Sequence, residues 1–193
     1  MTKEALIIVD VQNDFCPGGA LAVPGGDVVV PVLNQYARHF AERGTPIIAT
    51  RDWHPVQTRH FKDFGGIWPA HCVQGSVGAE LHPALHLPTS TVVLEKGAGS
   101  AEDAYSGFQA QNHDGIALTD LLRRHEARQL YVGGLATDYC VKSTVLDALV
   151  QGFIVTVLLD AVRGVNLQPH DAEAAIEEMA RRGAAMATFE RLR

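Results

Sequence analysis

The chain has 193 residues, of which 47% are hydrophobic and 20% charged; this favours one folded domain over residues 1–193 and excludes disorder as its main character. Its formal net charge is −6, whereas nucleic-acid-binding proteins typically carry a basic surface. We therefore expect no nucleic-acid partner. Because no apolar run approaches the roughly 20 residues that span a bilayer, we expect no membrane partner either. Three cysteines and no signal-peptide pattern predict free thiols in the cytoplasm.

Short apolar runs alternate with helical periods along the chain. Residues 5–9 form an apolar run rich in β-branched side chains, which is typical of a buried parallel strand. Apolar side chains at helical spacing then predict a helix over 28–43 that ends at Gly44. Further strands are predicted over 46–50, 91–95, 130–133, 154–159 and 185–188, and further helices over 116–125, 140–151 and 169–182. This alternation predicts an α/β fold in which a parallel sheet carries helices on both faces.

Two stretches interrupt the alternation. Residues 12–27 are rich in Pro and Gly, and residues 51–90 combine Trp, His, Pro and Gly without a clear period. Long ordered loops in a compact domain are usually functional, and in parallel sheets ligands bind at the loops that follow the carboxyl ends of the strands. We therefore expect the functional site at that edge of the sheet.

Polar side chains stand at or just past the ends of four predicted strands. Asp10 follows the first strand, Asp52 and His54 follow the second, Lys96 follows the third, and Cys140 comes a short loop after the fourth. Because parallel strands end at the same edge of a sheet, we expect these side chains to converge. An acid, an amine and a thiol are the parts of a cysteine nucleophile with an activating base and a neighbouring cation.

Each member of this set also has an ordinary structural interpretation. Asp10 could be a loop or capping residue, Lys96 a solvated surface lysine, and Cys140 a small buried hydrophobe. The joint pattern is more specific than any one member. Because Cys140 is predicted in the first turn of a helix, we expect the helix dipole and Lys96 to lower its pKa below the usual value of about 8.5.

The segment after the second predicted strand holds a further group of polar residues. Asp52 and His54 are followed there by His60 and His71. A carboxylate and imidazoles that converge from one loop suit a divalent cation such as Zn²⁺, Mn²⁺ or Fe²⁺. The spacing is not that of a zinc finger, and because the chain has nine histidines, clustering by chance is the alternative.

Aromatic side chains stand beside these polar groups. Phe15 follows the first strand, Trp68 precedes His71, and Tyr105 follows Lys96. In the simpler interpretation they fill the cores of loops. In the functional interpretation they form a flat apolar slot for a planar ring.

Six segments together resemble nicotinamidases (pyrazinamidases) of the isochorismatase-like cysteine hydrolase superfamily. They are Ile-Val-Asp-Val-Gln-Asn-Asp-Phe at 8–15, Thr-Arg-Asp-Trp-His-Pro at 50–55, Trp-Pro-Ala-His-Cys-Val-Gln-Gly at 68–75, Lys-Gly at 96–97, Tyr-Ser-Gly-Phe at 105–108 and Gly-Gly-Leu-Ala-Thr-Asp-Tyr-Cys-Val at 133–141. The Asp, Lys and Ala-Thr-Asp-Tyr-Cys-Val elements mark the superfamily. The Asp-Trp-His-Pro and Trp-Pro-x-His-Cys-Val segments single out nicotinamidases within it, and the resemblance covers nearly the whole chain.

The resemblance implies a three-layer α/β/α fold with a six-stranded parallel sheet. It also implies hydrolysis of nicotinamide to nicotinate and ammonia in NAD salvage, with pyrazinamide accepted by many members. Asp10, Lys96 and Cys140 match the catalytic triad, and the reaction is expected to pass through a thioester on Cys140. Leu135–Ala136 matches a non-proline cis peptide, and the resemblance implies that the backbone amide of Ala136 faces the substrate oxygen.

The resemblance further implies a substrate pocket. Phe15, Trp68 and Tyr105 match the residues that line the ring pocket in the family, and we include Leu135 among the expected substrate-binding residues. The substrate is thus a small molecule, and the sequence leaves a homo-oligomer open.

A metal site beside this pocket is implied as well. Asp52, His54 and His71 match ligands of a divalent ion (zinc, or alternatively iron or manganese) that holds the pyridine nitrogen in the family. His60 is either a fourth ligand or a group that supports a ligand, because relatives place a histidine in this loop at more than one spacing.

Two other functions compete with this interpretation. The first is another amidohydrolase of the same superfamily that acts on a carbamoyl or ureido amide, but such enzymes lack this metal loop. An isochorismatase is a further hydrolase of this superfamily, but its reaction needs no thiol nucleophile, so Cys140 argues against that activity. The second is a nucleotide-binding module, but the sequence has neither G-x-G-x-x-G after the first strand nor a P-loop motif.

Overall fold

The computed structural model describes residues 3–99 and 103–192. Six parallel strands form one sheet in the order β3-β2-β1-β4-β5-β6, so β1 lies in its interior. The strands are β1 Glu4–Val9, β2 Ile47–Asp52, β3 Val92–Lys96, β4 Gln129–Leu135, β5 Ile154–Arg163 and β6 Ala185–Ala187. The α-helices are α1 Val29–Glu42, α2 Leu118–Arg124, α3 Lys142–Val150 and α4 Asp171–Arg181. The predicted α/β fold with a six-stranded parallel sheet is confirmed.

Alternation along the strands builds a helical layer on each face of the sheet. Leu6 and Ile8 of β1 belong to the core that contains α1, whereas Ala5, Ile7 and Val9 belong to the core that contains α2, α3 and α4. Successive side chains of a strand point to opposite faces, so a wholly apolar β1 can be buried on both sides. The protein is therefore a three-layer α/β/α structure, as expected.

The carboxyl ends of β1, β2 and β3 meet at one edge of the sheet. Asp52 and Lys96 are the last residues of β2 and β3 and lie in register beside each other. The predicted strands ended before both residues, and this was wrong: ladder pairing carries each strand to its functional side chain. Asp10 follows β1 directly, and its amide donates to the Thr50 carbonyl of β2 at 3.1 Å.

Cys140 lies before α3 and not within it, contrary to the predicted helix over 140–151. Residues Thr137–Val141 form a π-helical turn, in which the Val141 amide donates to the Ala136 carbonyl at 3.1 Å. The Thr144 hydroxyl donates a hydrogen bond to the Cys140 carbonyl at 2.7 Å, near the start of α3. Single π-turns of this kind are frequent at functional sites.

The two irregular stretches of the sequence are ordered loops at this same edge. The first holds short 3₁₀ turns at Asn13–Phe15 and Gly26–Val28, and the second at Lys62–Phe64 and Val77–Ala79. Within the described residues, no helix is long and apolar enough to cross a bilayer.

Candidate active site

A cavity opens at the carboxyl edge of the sheet. Its walls are mainly aromatic and apolar, and its polar lining comes from a thiol, a carboxylate and two imidazoles. The lining residues are Phe15, Leu21, Asp52, His60, Trp68, His71, Tyr105, Ala136, Tyr139, Cys140 and Val165. A concave apolar site with a few convergent polar groups is the usual form of a small-molecule site.

Asp10 is held rigidly at the end of β1. Its backbone adopts a left-handed conformation with φ of 48°, which is uncommon for a non-glycine residue and is typical of functional sites. The Thr50 hydroxyl donates to Asp10 Oδ1 at 2.7 Å, and the side chain is fully buried. Asp10 Oδ2 is left to face Lys96.

The Lys96 ammonium group contacts both other members of the predicted triad. Its Nζ lies 2.9 Å from Asp10 Oδ2 and 3.4 Å from Cys140 Sγ, and it also pairs with Asp52 Oδ1. A further hydrogen bond runs from Nζ to the Ala104 carbonyl at 2.9 Å. The structure therefore brings Asp10, Lys96 and Cys140 together, although they come from three separate parts of the chain.

One cation, the Lys96 ammonium group, is shared by two carboxylates in this buried group. Burial alone would lower the pKa of Lys96, but Asp10 and Asp52 raise the pKa well above its usual range, so the amine stays protonated. Burial raises the pKa of Asp10 despite the lowering effect of Lys96. A carboxylate with a raised pKa is a stronger base, as proton abstraction from a thiol requires.

The expected low pKa of Cys140 is wrong. Burial raises the pKa of the Cys140 thiol well above its usual range; Lys96 lowers it, but Asp10 and Asp52 raise it again. The side chain hydrogen-bonds Asp10, which favours the protonated thiol. The nucleophile therefore rests as a thiol, and Asp10 must take its proton before attack.

Three buried histidines form a second cluster beside the triad. Their ligand nitrogens, from His54, His60 and His71, lie within 4.8 Å of one another. The Nδ1 of His54 is 3.2 Å from the Gly97 carbonyl, and that of His71 is 2.7 Å from the Pro69 carbonyl. A carbonyl accepts only from a protonated nitrogen, so both rings carry hydrogen on Nδ1 and present the Nε2 lone pair inward.

Asp52 belongs to both clusters. Its Oδ1 pairs with Lys96, and its Oδ2 lies 3.6 Å from His54 Nε2 and 3.9 Å from His71 Nε2. Burial would raise the pKa of Asp52, but Lys96 and His54 lower it far below its usual range, so it is ionised. The Gln12 side chain fixes this position, because it accepts from the Asp52 amide at 2.7 Å and donates to the Asp52 carbonyl at 2.8 Å.

The donor set fits a divalent cation. His54 Nε2 is buried and has no hydrogen-bond partner among the described residues, a deficit that a metal ion would remove. Burial lowers the pKa of His60, and it lowers that of His71 to about 4, so both rings are neutral at physiological pH, as metal ligation requires. His60 lies within the cluster, in keeping with a fourth ligand.

Known proteins are similar to this chain in sequence and fold. Residues 4–191 match the Isochorismatase domain. The chain belongs to the isochorismatase family. It is 46% identical to a nicotinamidase of Escherichia coli (strain K12), over 98% of this chain and 96% of that protein.

Two solved structures are also similar to this isochorismatase-family chain. A pyrazinamidase of Pyrococcus horikoshii in complex with zinc is 47% identical, with a TM-score of 0.89 over 97% of this chain and 99% of that one. PnC1 from L. infantum in complex with nicotinate is 37% identical, with a TM-score of 0.88 over 98% and 94% of the two chains.

The aromatic walls of the cavity are tied to one another. Trp68 Nε1 donates to the Tyr105 hydroxyl at 2.9 Å, and the Phe15 ring lies 5.6 Å from the His71 ring. The Trp68 ring also packs edge-on against Tyr139 at 4.9 Å. The structure thus places Phe15, Trp68 and Tyr105 around one cavity in this family member.

Leu135 does not line this cavity, contrary to its expected place among the substrate-binding residues. Its side chain is fully buried in the core that contains α1, beside Gly26. The next residue, Ala136, lines the cavity instead, and the peptide bond between them is cis, as the resemblance implied. Leu135 ends β4 facing the core, so its side chain is directed away from the cavity.

Several residues that contact the site were not predicted from the sequence. Leu21, Tyr139 and Val165 line the cavity, and Asp103 bonds to His60. Tyr139 adjoins Cys140 in the quoted motif and could have been found there. Leu21 and Val165 are apolar loop residues with no pattern of their own, so only the folded loops identify them.

Proposed function

We propose that this protein hydrolyses nicotinamide to nicotinate and ammonia, with pyrazinamide as a further substrate, as a step in NAD salvage. The observation that carries the proposal is the meeting of Asp10, Lys96 and Cys140 at an aromatic cavity that also faces the histidine cluster. The similar proteins named above include a nicotinamidase, a pyrazinamidase and a nicotinate complex. We propose that the whole chain acts as one hydrolase domain, which the match over residues 4–191 supports.

In the first step, Asp10 takes the proton of the Cys140 thiol. The thiolate attacks the carboxamide carbon, and the carbonyl π electrons move to oxygen. Lys96 contacts both Asp10 and Cys140, so it stabilises the anionic pair throughout the transfer. Burial raises the pKa of the Cys140 thiol, so Asp10 serves as the base that removes its proton.

The tetrahedral oxyanion is held by the backbone amides of Ala136 and Cys140. Loss of one such donor typically costs about 3 to 4 kcal/mol of transition-state stabilisation. Asp10, now protonated, gives its proton to the nitrogen as the carbon–nitrogen bond breaks, and ammonia leaves. The product of this half-reaction is a thioester between Cys140 and the pyridine acyl group.

Water completes the reaction. Asp10 takes a proton from water as its oxygen attacks the thioester carbon, and the carbon–sulfur bond then breaks. The proton returns from Asp10 to Cys140, and the acid product leaves and gives its remaining proton to solvent to become nicotinate. Asp10 therefore acts as base, acid, base and acid in turn within one turnover.

Asp52, His54, His60 and His71 would hold a divalent ion, which we propose is zinc. When bound, the ion supplies an electrophilic position for the pyridine nitrogen. The chain itself orients the ring between Phe15, Trp68 and Tyr105, and such positioning is worth several kcal/mol of barrier when it fixes a near-attack geometry.

The test is ammonia release by purified protein, before and after removal of metal with a chelator. We expect rapid release from nicotinamide and pyrazinamide, a large loss after chelation, and recovery with zinc. The control substrates are carbamoyl and ureido amides of similar size. Preferential turnover of those controls, or metal-independent kinetics on nicotinamide, would overturn the proposal.

A slow substrate tests the covalent step. Intact-protein mass spectrometry should detect an acyl adduct, and peptide mapping should place it on Cys140. Cys16 and Cys72 are also free and buried, so they serve as internal controls that should stay unmodified. Free thiols at all three positions are in keeping with the expected cytoplasmic location.

A further inference from the structure

The three histidines of the metal cluster are oriented in two different ways. His54 and His71 present Nδ1 to backbone carbonyls, those of Gly97 and Pro69. His60 instead presents Nδ1 to the Asp103 carboxylate, with Oδ1 at 2.5 Å. A carbonyl is fixed by its backbone, whereas a carboxylate is held only by its own side-chain torsions. The orientation of His60 therefore depends on one side chain.

Asp103 reaches this histidine from the protein surface. Its side chain is 61% exposed, whereas that of His60 is 4% exposed. An exposed acid paired with a buried ring contributes little to folding stability. Its effect is local: it holds hydrogen on Nδ1 and leaves the Nε2 lone pair of His60 available to a metal ion in the cluster.

The residues that follow Asp103 are hydrogen-bonded to several other parts of the site. The Ala104 carbonyl accepts from Lys96 Nζ at 2.9 Å, and the Tyr105 hydroxyl accepts from Trp68 Nε1 at 2.9 Å. The Gly107 amide donates to Thr144 Oγ1 at 2.8 Å, and that hydroxyl donates to the Cys140 carbonyl at 2.7 Å. Segment 103–107 thus connects the histidine cluster, the triad lysine, the ring pocket and the turn that carries the nucleophile.

We propose that Asp103 is a positioning residue that orients His60 for the metal and couples metal binding to the order of segment 103–107. The proposal rests on the proposed function only in taking the cluster of Asp52, His54, His60 and His71 as a metal site. In this arrangement the bound ion fixes His60, His60 fixes Asp103, and Asp103 fixes the segment that supports Lys96 and Tyr105.

The first experiment measures zinc affinity by competition with a chromophoric chelator. Partners of this kind typically account for about 10- to 100-fold in metal affinity, so we expect a loss of that size in Asp103→Ala. Asp103→Asn keeps an oxygen acceptor for Nδ1 and should lose less than Asp103→Ala. Asp63→Ala is the matched control, because Asp63 is an exposed acid three residues after His60, and it should bind zinc as the unmodified protein does.

The second experiment measures hydrogen exchange of segment 103–107 with and without zinc. The Ser106 and Gly107 amides are hydrogen-bonded to Gln109 and Thr144, so their exchange reports the order of the segment. Zinc should slow exchange here in the unmodified protein and in Asp63→Ala. In Asp103→Ala at saturating zinc, this slowing should be lost even though the metal is bound.

The outcomes separate this proposal from the metal site itself. His60→Ala serves as the positive control and should lose zinc affinity. Zinc affinity in Asp103→Ala within twofold of the unmodified protein, or an equal loss in Asp103→Asn, would overturn the role of Asp103 while leaving the metal site intact. Protection of segment 103–107 by zinc in Asp103→Ala would overturn the coupling. Failure of the unmodified protein to bind zinc would overturn the zinc site and this proposal together.

Discussion

The triad and the histidine cluster lie side by side but are built in different ways. Asp10 and Lys96 end neighbouring elements of the sheet, and Cys140 lies in the turn that follows β4. The three histidines all come from the irregular segment after β2. Asp10 and Lys96 of the triad form a salt bridge, whereas the rings of His60 and His71 are kept neutral by burial.

Because they are built differently, the two regions depend on different contacts for their geometry. Parallel pairing brings the triad together, so its geometry is as stable as the sheet. The histidine cluster depends on loop contacts such as the hydrogen bond from His54 to Gly97, where a Cβ would lie 2.4 Å from the His54 ring. Gly97 also has φ of 68°, so this position favours glycine on both grounds. Loss of a charged triad residue should affect both chemistry and folding, whereas substitutions around the cluster should mainly affect binding of metal and substrate.

The largest expected effect is the loss of the nucleophile. Cys140→Ala should lower kcat by about 10⁴-fold or more, because no other group on the described residues of the cavity supplies a thiol. Ammonia release measures the activity, and a thermal melt within a few degrees of the unmodified protein shows that the fold is intact. Residual activity within 100-fold would mean that Cys140 is not the nucleophile.

Removal of the triad cation should affect folding as well as turnover. Lys96→Met leaves Asp10 and Asp52 buried without their shared cation, and such a loss costs about 3 to 5 kcal/mol of unfolding free energy. Urea unfolding at neutral pH measures this cost. Lys142→Met is the control, because its pair with Glu178 is 3.8 Å long and partly exposed, and it should change stability by less than about 0.5 kcal/mol. Equal stabilities of the two variants would contradict a stabilising role of the Lys96 cation between Asp10 and Asp52.

The histidine cluster should govern acid stability of the metal-free protein. Burial lowers the pKa of His71 to about 4, so as pH falls from 6.5 the unfolded chain takes up a proton that the folded chain does not. This contribution to stability is therefore present above pH 6.5 and is lost progressively as pH falls to 4, by about 3 kcal/mol. Urea unfolding in chelator across this range measures it, and His71→Asn should have a shallower pH dependence. Parallel profiles for the two proteins would show that His71 is not the cause.

The smallest expected effect concerns the ring pocket. Tyr105→Phe removes the acceptor of the Trp68 Nε1 hydrogen bond and should raise KM for nicotinamide about 5-fold, with kcat changed by less than twofold. Tyr131→Phe is the matched control, because its hydroxyl bonds to Glu4 at the amino end of the sheet. A change in kcat without a change in KM would place Tyr105 in the chemical step and not in ring binding.

The sequence predicted the sheet and the triad well for one physical reason. Continuous apolar strands that alternate with amphipathic helices have few parallel arrangements, and parallel strands place their carboxyl ends together. Asp10, Asp52 and Lys96 could therefore be assigned to one edge from their positions after apolar runs. The predicted ends of β2 and β3 were wrong, because ladder pairing extends these strands to Asp52 and Lys96.

Properties that depend on surroundings were not accessible from the sequence. The pKa of Cys140 was expected to fall, but burial and two carboxylates raise it. Leu135 was expected at the cavity, but it faces the core. The contacts of Asp103 and Thr144 join residues that are 43 and 37 positions apart, and no local pattern marks them.

The order of residues along this chain determined the fold class, the edge that carries the site and the identity of the reactive groups, because these follow from periodicity and strand direction. Tertiary structure alone decided how those groups are charged and held. Burial, the single cation shared by Asp10 and Asp52, and the hydrogen bonds that orient each imidazole all arise between segments distant in sequence. Electrostatic free energies depend on the distances between these groups and on the exclusion of water. Neither property can be inferred from the sequence of a single segment.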